Sequence, residues 1–145
     1  MTIEFFMKQC INIAKESGKD IPVGCLIVKD EQIISSSYNK REALNAVSSH
    51  AEILALESAA KKLNNWRLDG CDLYVTLEPC PMCAWAILNS RIQNVYFGAY
   101  DTKYGSFGSV LNLLELSSFK SNIFGGIMED ECRNLILEYF KNIRK

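Results

Sequence analysis

No run of apolar residues in this sequence is long enough to cross a bilayer as a helix, and no membrane partner is expected. The stretch MTIEFFMKQCINIAKESGKD is broken by Glu4, Lys8, Lys15 and Glu16 and lacks the continuous apolar core of a secretory signal, so a cytoplasmic location is expected. There is no internal repeat, low-complexity run or linker. One domain over residues 1–145 is expected, a usual size for a single hydrophobic core. Neither sign of charge is in excess: 16 Lys and Arg stand against 17 Asp and Glu. Such a balance does not announce a nucleic-acid surface, although a local basic patch is enough to make one. Histidine is almost missing, with His50 the only one.

What is present is 48% hydrophobic and 23% charged, the balance of an ordinary globular protein. Six cysteines, Cys10, Cys25, Cys71, Cys80, Cys83 and Cys132, would stay reduced in the cytoplasm, which favours metal or packing roles over disulfides. Ile3, Phe6, Met7, Cys10, Ile11 and Ala14 recur at helical spacing, with Gly18 as the stop. VGCLIVKD and IISSSY read as two strands across a tight turn, antiparallel because so short a connection permits no crossover. The loop NKREALNAV leads to HAEILALESAAKKL, a helix with Ser48 or Ser49 as its N-cap. Asp72 to Leu77 reads as a buried strand, PMCAWAILNSR as a helix opened by proline and NVYFGA as another strand. The glycine-rich YDTKYGSFGS follows. A short helix is expected around Leu111 to Leu114, a strand near Ile123 to Met128 and a last helix from Glu129 that turns Cys132, Leu135, Ile136 and Tyr139 to one side. The alternation predicts an α/β layer structure with a mixed sheet.

Within it, Cys80 and Cys83 flank the start of one helix, while His50-Ala51-Glu52 opens another. An imidazole nitrogen and two thiolates suit zinc, and three protein ligands leave the fourth tetrahedral position for water, the mark of a catalytic site. The residues admit other readings. A CxxC pair also serves redox chemistry, a lone histidine at a helix start also serves as a cap, and Cys71 is a possible fourth ligand for a structural zinc. Against the last, Cys71 precedes the Asp72–Leu77 strand and Cys80 follows it, which puts them at opposite ends. Cys10, Cys25 and Cys132 lie in apolar patterns and read as small core residues.

HAE followed by PCPMC is the H-x-E and P-C-x-x-C pattern of zinc-dependent nucleoside and nucleobase deaminases. The chain resembles the bacterial tRNA-specific adenosine deaminases of that superfamily from PVGCLIV through NNWRLDGCDLYVTLEPCPMC and SRIQNVYFGAYDTKYGSFGSVLNLL to DECRNLILEYFKNIR, nearly its whole length. The resemblance implies a three-layer cytidine deaminase-like fold, a five-stranded mixed sheet with helices on both faces. It also implies one zinc per chain, a homodimer, and hydrolytic deamination of adenosine to inosine at the wobble position of a tRNA anticodon loop. Deamination of a free base or nucleoside is the alternative within the same chemistry; a thiol redox protein or a zinc scaffold is the alternative outside it.

Zinc on His50, Cys80 and Cys83 lowers the pKa of bound water from 15.7 to about 7. Glu52, two residues from a ligand, then moves the proton, a role worth about 10²- to 10⁴-fold, though a first-turn glutamate also satisfies a helix dipole. By resemblance Asn39 contacts the target base, whereas on residue type alone it reads as a turn residue. Asp101, Lys103 and Gly105 match the loop that contacts nucleotides around that base, and Phe140, Lys141 and Arg144 match the anticodon-contacting tail. Two stretches depart from the family. Ala46-Val47-Ser48-Ser49 stands where a proline-containing segment is usual, and Trp85 stands where a glycine is usual. Trp85 is also a candidate anchor for the dimer.

Overall fold

The structure is a computed structural model and describes residues 1–143. Helix α1 runs Ile3–Ala14, capped by the Thr2 side chain, which accepts the Phe5 N–H; a single 3₁₀ turn carries it to Gly18, whose φ of 63° ends it. Strands β1 (Gly24–Lys29) and β2 (Gln32–Tyr38) form the expected hairpin. Its two turn residues, Asp30 and Glu31, both have left-handed backbone, φ 50° and 62°, the geometry that matches the natural twist of paired strands. Helix α2 is one short turn, Arg41–Leu44, inside the segment expected to be loop. Next come α3 (Ala51–Leu63), β3 (Asp72–Leu77), α4 (Pro81–Asn89), β4 (Asn94–Ala99), β5 (Asn122–Phe124) and α5 (Glu129–Ile143).

The five strands lie in the order β2-β1-β3-β4-β5, with β1 antiparallel to both neighbours and β3, β4 and β5 parallel. The sheet is therefore mixed. Side chains alternate between its faces, and both faces are covered. Cys25, Ile27, Leu73, Val75, Val95 and Phe97 pack against α3 and α4 through Ala55, Leu56, Ala59, Ala84, Ile87 and Leu88. Leu26, Val28 and Tyr74 pack on the other face against Phe6, Met7, Cys10 and Ile11 of α1 and Cys132 of α5. The expectation that Cys10, Cys25 and Cys132 are core residues holds, since all three are buried.

Strand β5 is shorter than the run from Ile123 to Met128 suggests. Gly125 packs directly on the Phe97 ring and Gly126 takes φ 80°, so the chain leaves the sheet there. Its three residues are held by a ladder of rings, Tyr74 on Tyr96 at 4.7 Å and Tyr96 on Phe124 at 5.1 Å between centroids, both stacked. The helix expected around Leu111 to Leu114 is a 3₁₀ turn, Leu113–Glu115.

Helix α1 lies close over Gly24 of β1, whose N–H donates to Thr76 Oγ1 of β3 at 3.2 Å. A Cβ on Gly24 would overlap the Cys10 carbonyl oxygen and crowd the Ala14 nitrogen at 2.9 Å. Both are helix backbone and cannot rotate away. Gly24→Ala should therefore lower stability by roughly 1–3 kcal/mol, read as a drop in the urea midpoint; an unchanged midpoint would mean that α1 does not bear on the sheet there.

Candidate metal centre and active site

The chain leaves β3 at Leu77 and passes through Glu78-Pro79 into Cys80, the N-cap of α4. Pro81 occupies the first helical position, where its missing N–H has no partner to lose. Cys83 follows three residues after Cys80, so helical geometry turns both sulfurs to one side. On the neighbouring helix His50 is itself the N-cap of α3, with extended backbone, and Glu52 lies in the first turn. The expected Ser48 or Ser49 cap is not formed, because the N-cap position falls to His50, whose side chain makes no capping bond. Asn39, at the end of β2, takes that role across the chain: its Oδ1 accepts the Ala51 N–H at 2.8 Å and its Nδ2 donates to the Ile21 carbonyl at 3.0 Å.

His50 Nδ1 and Cys80 Sγ are 3.8 Å apart, and the ligand atoms of His50, Cys80 and Cys83 all lie within 4.8 Å of one another. Tetrahedral zinc, with Zn–S near 2.3 Å and Zn–N near 2.0–2.1 Å, sets sulfur and nitrogen about 3.5 Å apart and two sulfurs about 3.8 Å apart. The donor set fits that ion in both chemistry and spacing. Cys71 is not in the group and sits buried at the far end of β3.

The three groups also perturb one another. Hydrogen bonding from the Cys83 thiol pulls the Cys80 thiol down to about 4, against desolvation and with further help from His50. The same bond, together with burial, pushes the Cys83 thiol up, and Cys80 raises His50. The two sulfurs are thus unequal, Cys80 favouring the thiolate and Cys83 the thiol, and a metal held by them would require Cys83 to give up its proton. Glu52 is 4% exposed; burial lifts its carboxyl to about 7, Cys80 adding to the rise while its own backbone amide and His50 oppose it.

A cavity of about 350 Å³ opens onto these groups. Val23 and Leu77 give it apolar walls, while Asn39, Glu52, His50 and Cys80 supply its polar interior. Ile21, Arg41, Glu78, Asp101 and Tyr104 complete the lining. Of the residues singled out in the sequence, Asn39, His50, Glu52, Cys80 and Asp101 line the cavity and Cys83 lies buried behind it. Lys103 is exposed outside it, as are Phe140 and Lys141 on α5. The Tyr139 hydroxyl, donating to the Lys19 carbonyl at 2.8 Å, ties this end of α5 to the segment before Ile21. Arg144 lies outside the described residues.

Sequence reasoning missed Glu78, 2% exposed, which holds the entire 101–109 loop. Its Oε1 accepts the Asp101 N–H at 3.1 Å and the Ser109 hydroxyl at 2.5 Å; its Oε2 accepts the N–H groups of Phe107 and Ser109, both at 3.1 Å. Gly105 is needed there, since a Cβ on it would overlap the Glu78 carboxylate and the Asp101 carbonyl. A second missed anchor is Asp20, 3% exposed, which accepts from Arg41 Nε and Nη2 at 3.1 and 2.9 Å and from the Glu42 N–H at 3.2 Å.

Residues 1–99 match the cytidine and deoxycytidylate deaminase zinc-binding region. The chain is 40% identical to the tRNA-specific adenosine deaminase of Bacillus subtilis (strain 168), over 98% of this chain and 91% of that protein. The chain belongs to the tRNA-specific adenosine deaminase family. Its counterpart in Aquifex aeolicus (strain VF5) is also 40% identical, over 97% of this chain and 95% of that protein. A solved structure from a study of A-to-I editing by tRNA:A34 deaminases at the wobble position of transfer RNA superposes with a TM-score of 0.87 at 36% identity, covering 90% of this chain and 98% of that one. The fold is accordingly the three-layer cytidine deaminase-like one, and the protein is a deaminase of the zinc-dependent class.

Glu78→Gln keeps the side chain's shape but turns an NH₂ group towards N–H donors, leaving at least one of them without an acceptor. It should cost about 1–3 kcal/mol and speed hydrogen exchange at the amides of Asp101, Phe107 and Ser109. Zinc content should stay at the wild-type level. Unchanged exchange at these amides would show that the loop is held by something else.

Proposed function

We propose that this chain, as one deaminase domain over residues 1–145, converts adenosine to inosine at the wobble position of a tRNA anticodon loop with release of ammonia, using one zinc held by His50 Nδ1, Cys80 Sγ and Cys83 Sγ. The observation that carries the reading is the convergence of those three ligand atoms within 4.8 Å at a cavity that also contains the buried Glu52. When bound, zinc supplies Lewis acidity that makes water a nucleophile at neutral pH.

The chain's own residues do the rest. Glu52 takes a proton from the attacking water and hands it to the ring nitrogen next to the carbon under attack; the second water proton leaves with the amino group as ammonia, so the net change is addition of water and loss of NH₃. Burial excludes bulk water from this exchange. Asn39 spends one amide hydrogen on Ile21 and one oxygen lone pair on Ala51, which leaves one donor and one acceptor for a base edge. Asp101 shapes the loop beside the base, its Oδ1 accepting the N–H groups of Lys103 and Tyr104 at 2.9 and 3.0 Å. Lys103, Phe140 and Arg144 act on flanking nucleotides. An anticodon loop is a suitable target because its bases can enter a pocket at little unpairing cost. A cytoplasmic location accords with a tRNA substrate and with thiol ligands that must stay reduced.

Two copies of the chain are inferred to pair through the exposed surface of α4, where Met82 and Trp85 are each 40% exposed. Sedimentation as a monomer at micromolar concentration would remove that inference.

Purified protein should carry one zinc per chain. Cys80→Ser and Cys83→Ser should lose most of it, while Cys71→Ser keeps it. Glu52→Ala should keep zinc and melt near wild type, yet lose deamination by about 10²- to 10⁴-fold. Substoichiometric zinc together with a reversible Cys80–Cys83 disulfide would point to thiol redox chemistry instead. The substrate is tested by offering an anticodon stem-loop bearing wobble adenosine beside free adenine, guanine, cytosine and their nucleosides. Inosine should form in the RNA, and ammonia released only from a free base would move the assignment to a nucleobase deaminase.

A further inference from the structure

We propose that Tyr104 is a stacking platform for a nucleotide base at the mouth of the cavity, a role that rests on the RNA reading above and that no feature of the metal centre requires. The residue lines the same cavity as His50, Glu52 and Asn39 and yet is 56% exposed. Other rings of the chain are as open, Trp66 among them, but Tyr104 is the exposed ring that lines this cavity. Among the described residues Tyr104 stacks on no other aromatic ring, and its hydroxyl makes no hydrogen bond there.

Its mount, by contrast, is rigidly built. The Tyr104 N–H donates to Asp101 Oδ1 at 3.0 Å, and the next residue, Gly105, donates its N–H to the Asp101 carbonyl at 2.9 Å. The following Ser106 N–H reaches the Pro79 carbonyl at 2.9 Å, one residue from Cys80. Glu78 clamps both ends of the same loop through Asp101 and Ser109. The backbone under the ring is thus fixed to the segment that carries Cys80, while the ring itself is more than half exposed.

The Lys103 ammonium lies 5.3 Å from the Tyr104 ring centroid. An aromatic face beside an exposed cation is the pairing that single-stranded nucleic acid exploits, with the ring taking a base and the ammonium a phosphate. Stacking tolerates any base, because every base has a π-face. Tyr104 would therefore set affinity for a nucleotide adjoining the target and leave the chemistry at the target to the buried groups.

The test compares wild type, Tyr104→Phe and Tyr104→Ala on an anticodon stem-loop, with a parallel stem-loop carrying 2-aminopurine next to the target adenosine. Tyr104→Ala should raise KM roughly 5- to 100-fold, with kcat falling much less. Tyr104→Phe, which keeps the ring, should restore KM to within a few-fold of wild type. The 2-aminopurine fluorescence should be quenched on binding to wild type and Tyr104→Phe but not to Tyr104→Ala. Lys103→Ala should instead flatten the salt dependence of binding and leave the quenching. Equal KM and equal quenching in wild type and Tyr104→Ala overturn the stacking role while inosine formation in the RNA upholds the substrate. Wild type that ignores the stem-loop but consumes a free base overturns the RNA reading and the stacking role together.

Discussion

The rest of the structure depends on one constraint: one imidazole nitrogen and two sulfurs meet within 4.8 Å although they come from chain segments thirty residues apart, His50 and Cys80. The fold meets it by starting two helices side by side on one face of the sheet. Residues Ala51, Ala55 and Ala59 of α3 and Ala84 of α4 are fully buried in that layer. Small side chains let the helices lie close to the strands and to each other, so their N-termini arrive together. Two helix starts at one site also supply a positive local field, which favours thiolates over thiols. Packing of small apolar residues is thereby linked to metal chemistry.

Buried polar groups then fix what the helices leave free. Asn39, Glu78 and Asp20 are each at most 6% exposed, and each uses its side chain to hold backbone from a distant segment. In a low-dielectric interior an unmatched N–H or carboxylate is expensive, so each of these residues enforces one arrangement of its loop and penalises others. Asn39 joins the end of β2 to the first turn of α3, which sets the angle at which Glu52 enters the cavity. Glu78 does the same for the loop after β4, reaching over from the end of β3. Asn39 and Glu78 themselves line the cavity, and Asp20 holds Arg41, which lines it too.

How much of this was legible in the sequence follows from how local each cause is. The hairpin, the helix opened by Pro81 and the strand Asp72–Leu77 were readable because turn, cap and periodicity signals lie within the elements themselves. The same holds for His50, Cys80 and Cys83, whose residue types and spacing speak for a metal without reference to the fold. The cap of α3 was misread because Ser48 and Ser49 are good local candidates, whereas the true partner, Asn39, comes from 12 residues away. Glu78 stood beside the most informative motif and still gave no signal, because its meaning lies in the Asp101, Phe107 and Ser109 groups that face it. Strand β5 was overextended for a similar reason: only the packing of Gly125 on Phe97 says where the chain must turn away.

A division of labour follows from this arrangement. The proposed reaction centre sits at two helix starts, while most of the expected contacts to flanking nucleotides sit on the loop anchored by Glu78 and on the end of α5 fastened by Tyr139. Exposed residues on a clamped loop can change without strain reaching the ligands, because the anchor absorbs the geometry at the loop's base. Net charge near −1 fits the same scheme. A polyanion need not be drawn to the whole surface if a few cations and rings around one cavity meet it, and the modest overall charge limits binding to nucleic acid elsewhere. On the proposed reading, substrate choice is a property of the rim, set apart from the chemistry assigned to His50, Glu52, Cys80 and Cys83.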